Sequence, residues 1–180
     1  MKFLLLSGSF HENSRSLAIL KNIESYLSEL VDGEFTVTIP DLSVLPFYSP
    51  DIEIPAGLKA FMEAVTAADA IIVCSPEYNH SIPAVLKNAI DWASRPAFNS
   101  PLKDLPVAFI TQASSPVGGA RAQAHLKLVF DSTLSRIYMS QEMMISGVQD
   151  IFDDNKKIQD ADVVRRLQRY LKGFVDGLSG

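Results

Sequence analysis

Five apolar residues in succession, Ala70-Ile71-Ile72-Val73-Cys74, run directly into Ser75-Pro76-Glu77-Tyr78-Asn79-His80-Ser81-Ile82-Pro83. No polar side chain interrupts the run, so neither face of such a strand can meet water. That is the pattern of a central strand in a parallel sheet with both faces covered. The groups that follow at once, a proline, a carboxylate, a phenol, an amide and an imidazole, do not suit a core. A break of this kind at the carboxyl end of a parallel strand is where open α/β sheets bind ligands.

The rest of the chain supplies the partners such a strand needs. Phe3 to Leu6 reads as another buried strand, and Ser7 to Ser16 as a polar turn containing Gly8. Leu20, Ile23, Leu27 and Leu30 recur at steps of three and four, which predicts a helix that starts between Ser14 and Ser16 and ends near Asp32-Gly33. Phe35-Thr36-Val37-Thr38-Ile39 alternates apolar residues with threonine, as a sheet-edge strand with one wet face does. Asp41 to Pro55 holds Pro46, Pro50 and Pro55 with Phe47 and Tyr48 and shows no period; its apolar content predicts an ordered loop rather than a flexible linker.

Leu58, Phe61, Met62 and Val65 mark a short helix, and Leu86, Ala89, Ile90 and Ala93 mark another with Pro83 in its first turn, where a missing amide hydrogen costs little. Pro106 to Thr111 is a further buried strand, followed by the polar loop Gln112 to Gly119 and a helix on Ala122, Leu126, Val129, Phe130 and Leu134. Ile137 to Met144 is the expected fifth strand, and Val164, Leu167, Leu171, Phe174 and Leu178 give an amphipathic closing helix. The order βαβαβαβαβα predicts a doubly wound α/β parallel sheet in a single domain, 1–180, with the loops after strands one, three and four at one edge.

Composition removes several alternatives. A chain of 180 residues can bury one substantial core, since a domain of about 150 residues hides about 68–70% of its unfolded surface. A net charge of −5 argues against non-specific nucleic-acid binding, so an anionic ligand must be held locally. A lone cysteine, Cys74, forms no internal disulfide and suits a reducing compartment. Phe3-Leu4-Leu5-Leu6 is too short for a signal-peptide core or a membrane span, and the expected location is cytoplasmic.

The first loop offers hydroxyls at Ser9, Ser14 and Ser16, with Arg15 between the last two and Gly8 allowing close backbone approach, all at the amino end of a helix. Free amide hydrogens and the positive dipole end make such a turn an anion site, and a phosphate monoester fits. A serine-capped helix without a ligand is the other reading of the same residues. The loop matches neither G-x-x-x-x-G-K-[ST] nor G-x-G-x-x-G, which argues against a P-loop and a classical dinucleotide fold. A flavin mononucleotide would place its phosphate here and its ring against Pro76, Tyr78 and Asn79, with Ser114 to Gly119 approaching from the other side.

Gly8-Ser9 followed by Ser14, then Pro76 to Pro83, then Leu86-Lys87-Asn88-Ala89-Ile90-Asp91-Trp92 and Ser94-Arg95, resemble the motifs of the NADPH-dependent FMN reductase family. The resemblance runs from about Lys2 to Leu134. It implies a flavodoxin-like five-stranded sheet of order 2-1-3-4-5, bound FMN, and NADPH or NADH as co-substrate. It also implies a quinone, free flavin, azo compound or metal oxyanion such as chromate as acceptor, and a homodimer or homotetramer. The cofactor-binding residues it implies are Ser9, His11, Ser14, Arg15, Ser16, Pro76, Glu77, Tyr78, Asn79, His80, Ser81, Ser114, Gly118 and Gly119. No side chain is assigned a catalytic proton transfer, because the flavin carries the chemistry. His11 stands where the family usually has arginine, which implies a weaker or pH-sensitive phosphate contact. A flavodoxin-type electron carrier without reductase activity is the alternative, and the sequence lacks that group's Thr-rich phosphate loop and strongly acidic surface.

Other residues have plainer readings. His11, His80, His125 and Cys74 show no metal-ligand spacing, and Cys74 reads as a buried core thiol. Glu77 is open to three roles: an acid, a partner for a neighbouring subunit, or a cap on backbone amides. Arg121 either meets a nucleotide phosphate or is solvated. Lys87 and Asp91 are placed for a helical ion pair, and Trp92 for packing in the core or at a subunit contact.

Overall fold

Strands β1 (Lys2–Ser7), β3 (Ala70–Pro76) and β4 (Pro106–Gln112) carry the longest apolar runs and are buried along almost their whole length in the computed structural model, which describes residues 1–178. They lie side by side and parallel: Phe3 to Ser7 pair with Ala70 to Cys74, and Ile71 to Pro76 with Val107 to Gln112. β2 (Thr36–Thr38) keeps its threonines exposed and flanks β1 at the edge, and β5 (Arg136–Ile137) flanks β4, giving the order β2-β1-β3-β4-β5.

The pleat sends alternate side chains to opposite faces, so the sheet has two hydrophobic layers. Phe3, Leu5, Ile72, Cys74, Ala108 and Ile110 pack against α1 (Arg15–Leu30) and α5 (Ala161–Asp176). Leu4, Leu6, Ile71, Val73, Val107 and Phe109 pack against α2 (Ala56–Ala67), α3 (Ala84–Ala93) and α4 (Ala120–Ser132). The flavodoxin-like arrangement expected from the sequence is the one observed.

Asp41 to Pro55 is ordered, as expected. It makes a single short turn at Leu42–Val44, and Leu42 and Leu45 enter the core. Its Pro46 carbonyl accepts hydrogen bonds from Asn88 Nδ2 at 2.9 Å and Trp92 Nε1 at 2.8 Å, and the Tyr48 ring meets Trp92 edge-on. Trp92 is therefore a core packing residue that fastens this loop to α3.

Two expectations at the far edge need correction. The single fifth strand expected over Ile137 to Met144 is divided into β5 (Arg136–Ile137), paired with Pro106 and Val107, and β6 (Met143–Ile145), paired with Ile110 to Gln112. Between them the chain leaves β4, and Phe109 loses a strand neighbour. The Tyr170 hydroxyl fills the gap: Phe109 N–H donates to it and it donates to the Phe109 carbonyl, each at 3.0 Å. Burial pushes that phenol well above its usual range, so it stays protonated. Leu134, expected in the last turn of α4, lies beyond that helix with a left-handed φ of 61° and is exposed.

Candidate active site

The carboxyl ends of β1, β3 and β4 open into a cleft of about 350 Å³, within the size range of small-molecule and cofactor sites. Its first wall is the turn between β1 and α1. Ser14 caps the helix, its Oγ accepting from Leu17 N–H at 3.1 Å and donating to the Ser9 carbonyl at 3.2 Å. Arg15 and Ser16 are the first residues of α1, so their amides have no intrahelical acceptor. The Arg15 guanidinium forms no ion pair among the described residues. His11 Nδ1 accepts from Asn13 N–H at 3.0 Å, which leaves Nε2 as the ring's donor.

The second wall is a four-residue turn after β3. Tyr78 and Ser81 exchange both backbone hydrogen bonds at 2.9 Å, and Asn79 and His80 take left-handed φ values of 48° and 64°. Such values are uncommon outside glycine and are held where the surroundings over-determine them. Here α4 does so. Glu77 Oε2 accepts from the backbone N–H of Arg121 at 2.9 Å and of Ala122 at 3.4 Å, and Oε1 pairs with Arg121 Nη1 at 3.0 Å. Four residues along the same helix, His125 Nδ1 lies 2.8 Å from Ser81 Oγ. Burial raises the Glu77 pKa, but the hydrogen bonds from Arg121 and Ala122 and the guanidinium charge outweigh it, so the carboxyl titrates below its usual value. Of the roles open to Glu77, capping amides is the one the structure shows, and Arg121 is its partner.

The third side is the end of β4 and the start of α4. Gly119, at φ 84°, packs so tightly on β4 that an added Cβ would lie 2.9 Å from Thr111 Cβ and 3.3 Å from the Gln112 nitrogen. Only glycine satisfies both the backbone angle and the approach.

Ser9, His11, Ser14, Arg15, Pro76, Glu77, Tyr78 and Ser114 of the expected set line the cleft together. Asn79 and His80 are the exposed tip of the second turn, and Ser81 closes it. Gly118 and Gly119 seat α4 instead of lining the wall. The Ser16 side chain does not line the cleft: it is wholly buried and its Oγ accepts from Gln112 Nε2 at 3.1 Å. Its step to Leu20, Ile23 and Leu27 put it on the helix's inner stripe, a signal visible in the sequence. Asn13, Gln112 and Ala113 also line the cleft and were not expected; Gln112 could have been suspected as a polar residue continuing a buried strand. Cys74 lies beneath, its thiol pushed up to about 12 by burial against an opposing Ser16 hydrogen bond, so it is no nucleophile.

These groups fit FMN. Hydroxyls, unpaired amides at a helix start and a guanidinium with no ion pair among the described residues suit a phosphate, and Pro76, Glu77 and Tyr78 line the same cleft. Fold and cleft together define a flavodoxin-like oxidoreductase that works through a bound flavin. The chain belongs to the NADPH-dependent FMN reductase family, whose model matches residues 1–150. It is 34% identical to an NAD(P)H-dependent FMN reductase of Pseudomonas aeruginosa over 97% of this chain and 93% of that one. It is 34% identical to a 2-hydroxy-1,4-benzoquinone reductase of a Burkholderia species over 98% and 93% of the two chains. Among solved structures, FerB of Paracoccus denitrificans, a flavoenzyme NAD(P)H:(acceptor) oxidoreductase, superposes with a TM-score of 0.86 at 27% identity, covering 99% of this chain and 97% of that one. The protein is accordingly an FMN-dependent NAD(P)H oxidoreductase, and these relatives do not favour a carrier of the flavodoxin type.

Proposed function

We propose that this oxidoreductase passes electrons from NADPH or NADH to quinone-class acceptors, with 1–180 acting as one FMN-binding unit. The observation that carries this reading is one cleft lined both by a serine-capped helix start carrying Arg15 and by the turn after β3 that Glu77 fastens to α4. The bound flavin supplies the two-electron relay. The residues do the rest: Ser9, Ser14, Arg15 and the first amides of α1 hold the phosphate, and the turn from Pro76 to Ser81 sets the plane of the ring. Tyr78, 53% exposed at the mouth, covers one side while leaving room for an exchanging substrate. The benzoquinone-reducing relative supports quinones as acceptors over free flavin, azo compounds or chromate.

His11 donates through Nε2 to the phosphate in this reading, and FMN binding that is unchanged in His11→Ala removes that contact. Phe47 and Phe98, 83% and 81% exposed, support a homodimer or homotetramer that covers them. Among the described residues no helix is long and apolar enough to cross a membrane, and a cytoplasmic location is part of the proposal.

The test is anaerobic. Protein loaded with FMN is mixed with NADPH or NADH, and its flavin absorbance should bleach within seconds and return on adding a benzoquinone. A protein that takes up no FMN overturns the cofactor assignment; one that bleaches but is not reoxidised by quinones overturns the acceptor.

A further inference from the structure

The floor of the cleft is polar where the strand pattern calls for an apolar residue. Gln112 ends β4 two positions after the buried Ile110, so the pleat turns its side chain to the α1 face, where it is 6% exposed. A side-chain amide so enclosed must find partners for its N–H groups and its carbonyl. Nε2 donates to Ser16 Oγ at 3.1 Å, and Ser16 is itself fully buried on α1. In this arrangement Nε2 faces Ser16 and Oε1 faces away from it. Oε1 has no protein donor among the described residues, is not one of the sealed-off orphan atoms, and belongs to a residue lining the cleft.

An outward-facing carbonyl oxygen selects a donor. Next to a phosphate or a ring carbonyl it would be repulsive; beside a hydroxyl, or the ring's N–H, it is matched, and lumiflavin, which has the ring alone, tells these two apart. Gln112 lines the same cleft as the first turn, which suits the phosphate, and the second, which suits the ring. We infer that Gln112 accepts a hydrogen bond from a hydroxyl of the polyol chain joining phosphate to ring, and that Ser16 is a positioning residue holding the amide oxygen outward. The inference rests on the flavin reading of this cleft and adds to it a means of recognising the sugar-alcohol segment apart from the ring and the phosphate.

Three flavins separate the segments: FMN carries polyol and phosphate, riboflavin the polyol alone, lumiflavin neither. Their dissociation constants from the apoprotein are read from quenching of flavin fluorescence, without turnover. Gln112→Met, close in volume, should weaken FMN and riboflavin about tenfold each and leave lumiflavin unchanged. Ser16→Ala should weaken the same two about threefold, and Ser16→Thr, which keeps the hydroxyl, should restore them. Equal weakening of lumiflavin, or unchanged FMN and riboflavin affinities in Gln112→Met, overturns the inference while leaving the flavin site standing. A wild-type apoprotein that binds none of the three overturns both.

Discussion

The turn after β1 ties itself together, whereas the turn after β3 is tied to another helix. The side chains of Ser7, Ser9, His11 and Ser14 make their hydrogen bonds within the segment from Ser7 to Leu17. Glu77 and Ser81 instead reach residues 44 positions further along the chain. The two walls line one cleft and, in the proposed function, hold the two ends of one ligand, so the contrast would be one of function. The phosphate end is a local structure whose donors can change without disturbing the fold. The ring end is a strained turn whose shape depends on how α4 is seated.

The largest effect should come from unseating that helix. Gly119→Ala combines a left-handed alanine with a contact inside van der Waals range, and it should cost about 3 kcal/mol. Thermal unfolding should then fall by about 6–12 °C, and lumiflavin affinity should drop with it. A shift of under a degree would show that α4 is free to move and that the contrast between the walls is overstated.

Glu77→Ala removes one fastening and should cost about 1–2 kcal/mol, as loss of a charged helix cap does, with weaker binding of all three flavins by a common factor. The wild-type fastening also depends on pH. Because the folded carboxyl titrates below its unfolded value, its contribution is complete above the ordinary glutamate pKa of about 4.3 and is lost as pH falls through the lower folded value. Glu77→Gln should flatten that acid limb in unfolding curves taken from neutral to acid pH. An unchanged limb would mean that other carboxylates set it.

The smallest stability effect belongs to the other wall. Ser9→Ala should leave the unfolding temperature within about 1 °C, typical of a surface substitution, while the preference for FMN over riboflavin falls about tenfold. If the fold weakens instead, the first turn is not self-contained.

Much of this was legible in the residues because local pattern and global fold agree. Uninterrupted apolar runs became the three inner strands, and Ser14 before a periodic stretch became a cap. What escaped reading depends on contacts between distant parts. Glu77 takes its role from the amides of a helix that sequence spacing does not bring near. The fifth strand reads as continuous because Tyr170, which lets it break, lies 61 residues from the strand residue it serves. Ser16 reads as a loop hydroxyl although its spacing sets it on the inner stripe, and Gln112 reads as the start of a loop because strand ends and loop starts look alike in a sequence.

That tyrosine has a further consequence. By satisfying a peptide group left bare on β4, it closes a rim that could otherwise recruit a second chain through backbone pairing. A fragment ending near Asp150 would retain every cleft residue and the whole span that matches the family model, yet present that open rim to solvent. The C-terminal helix, which lines no part of the cleft, is therefore what shields that rim of β4.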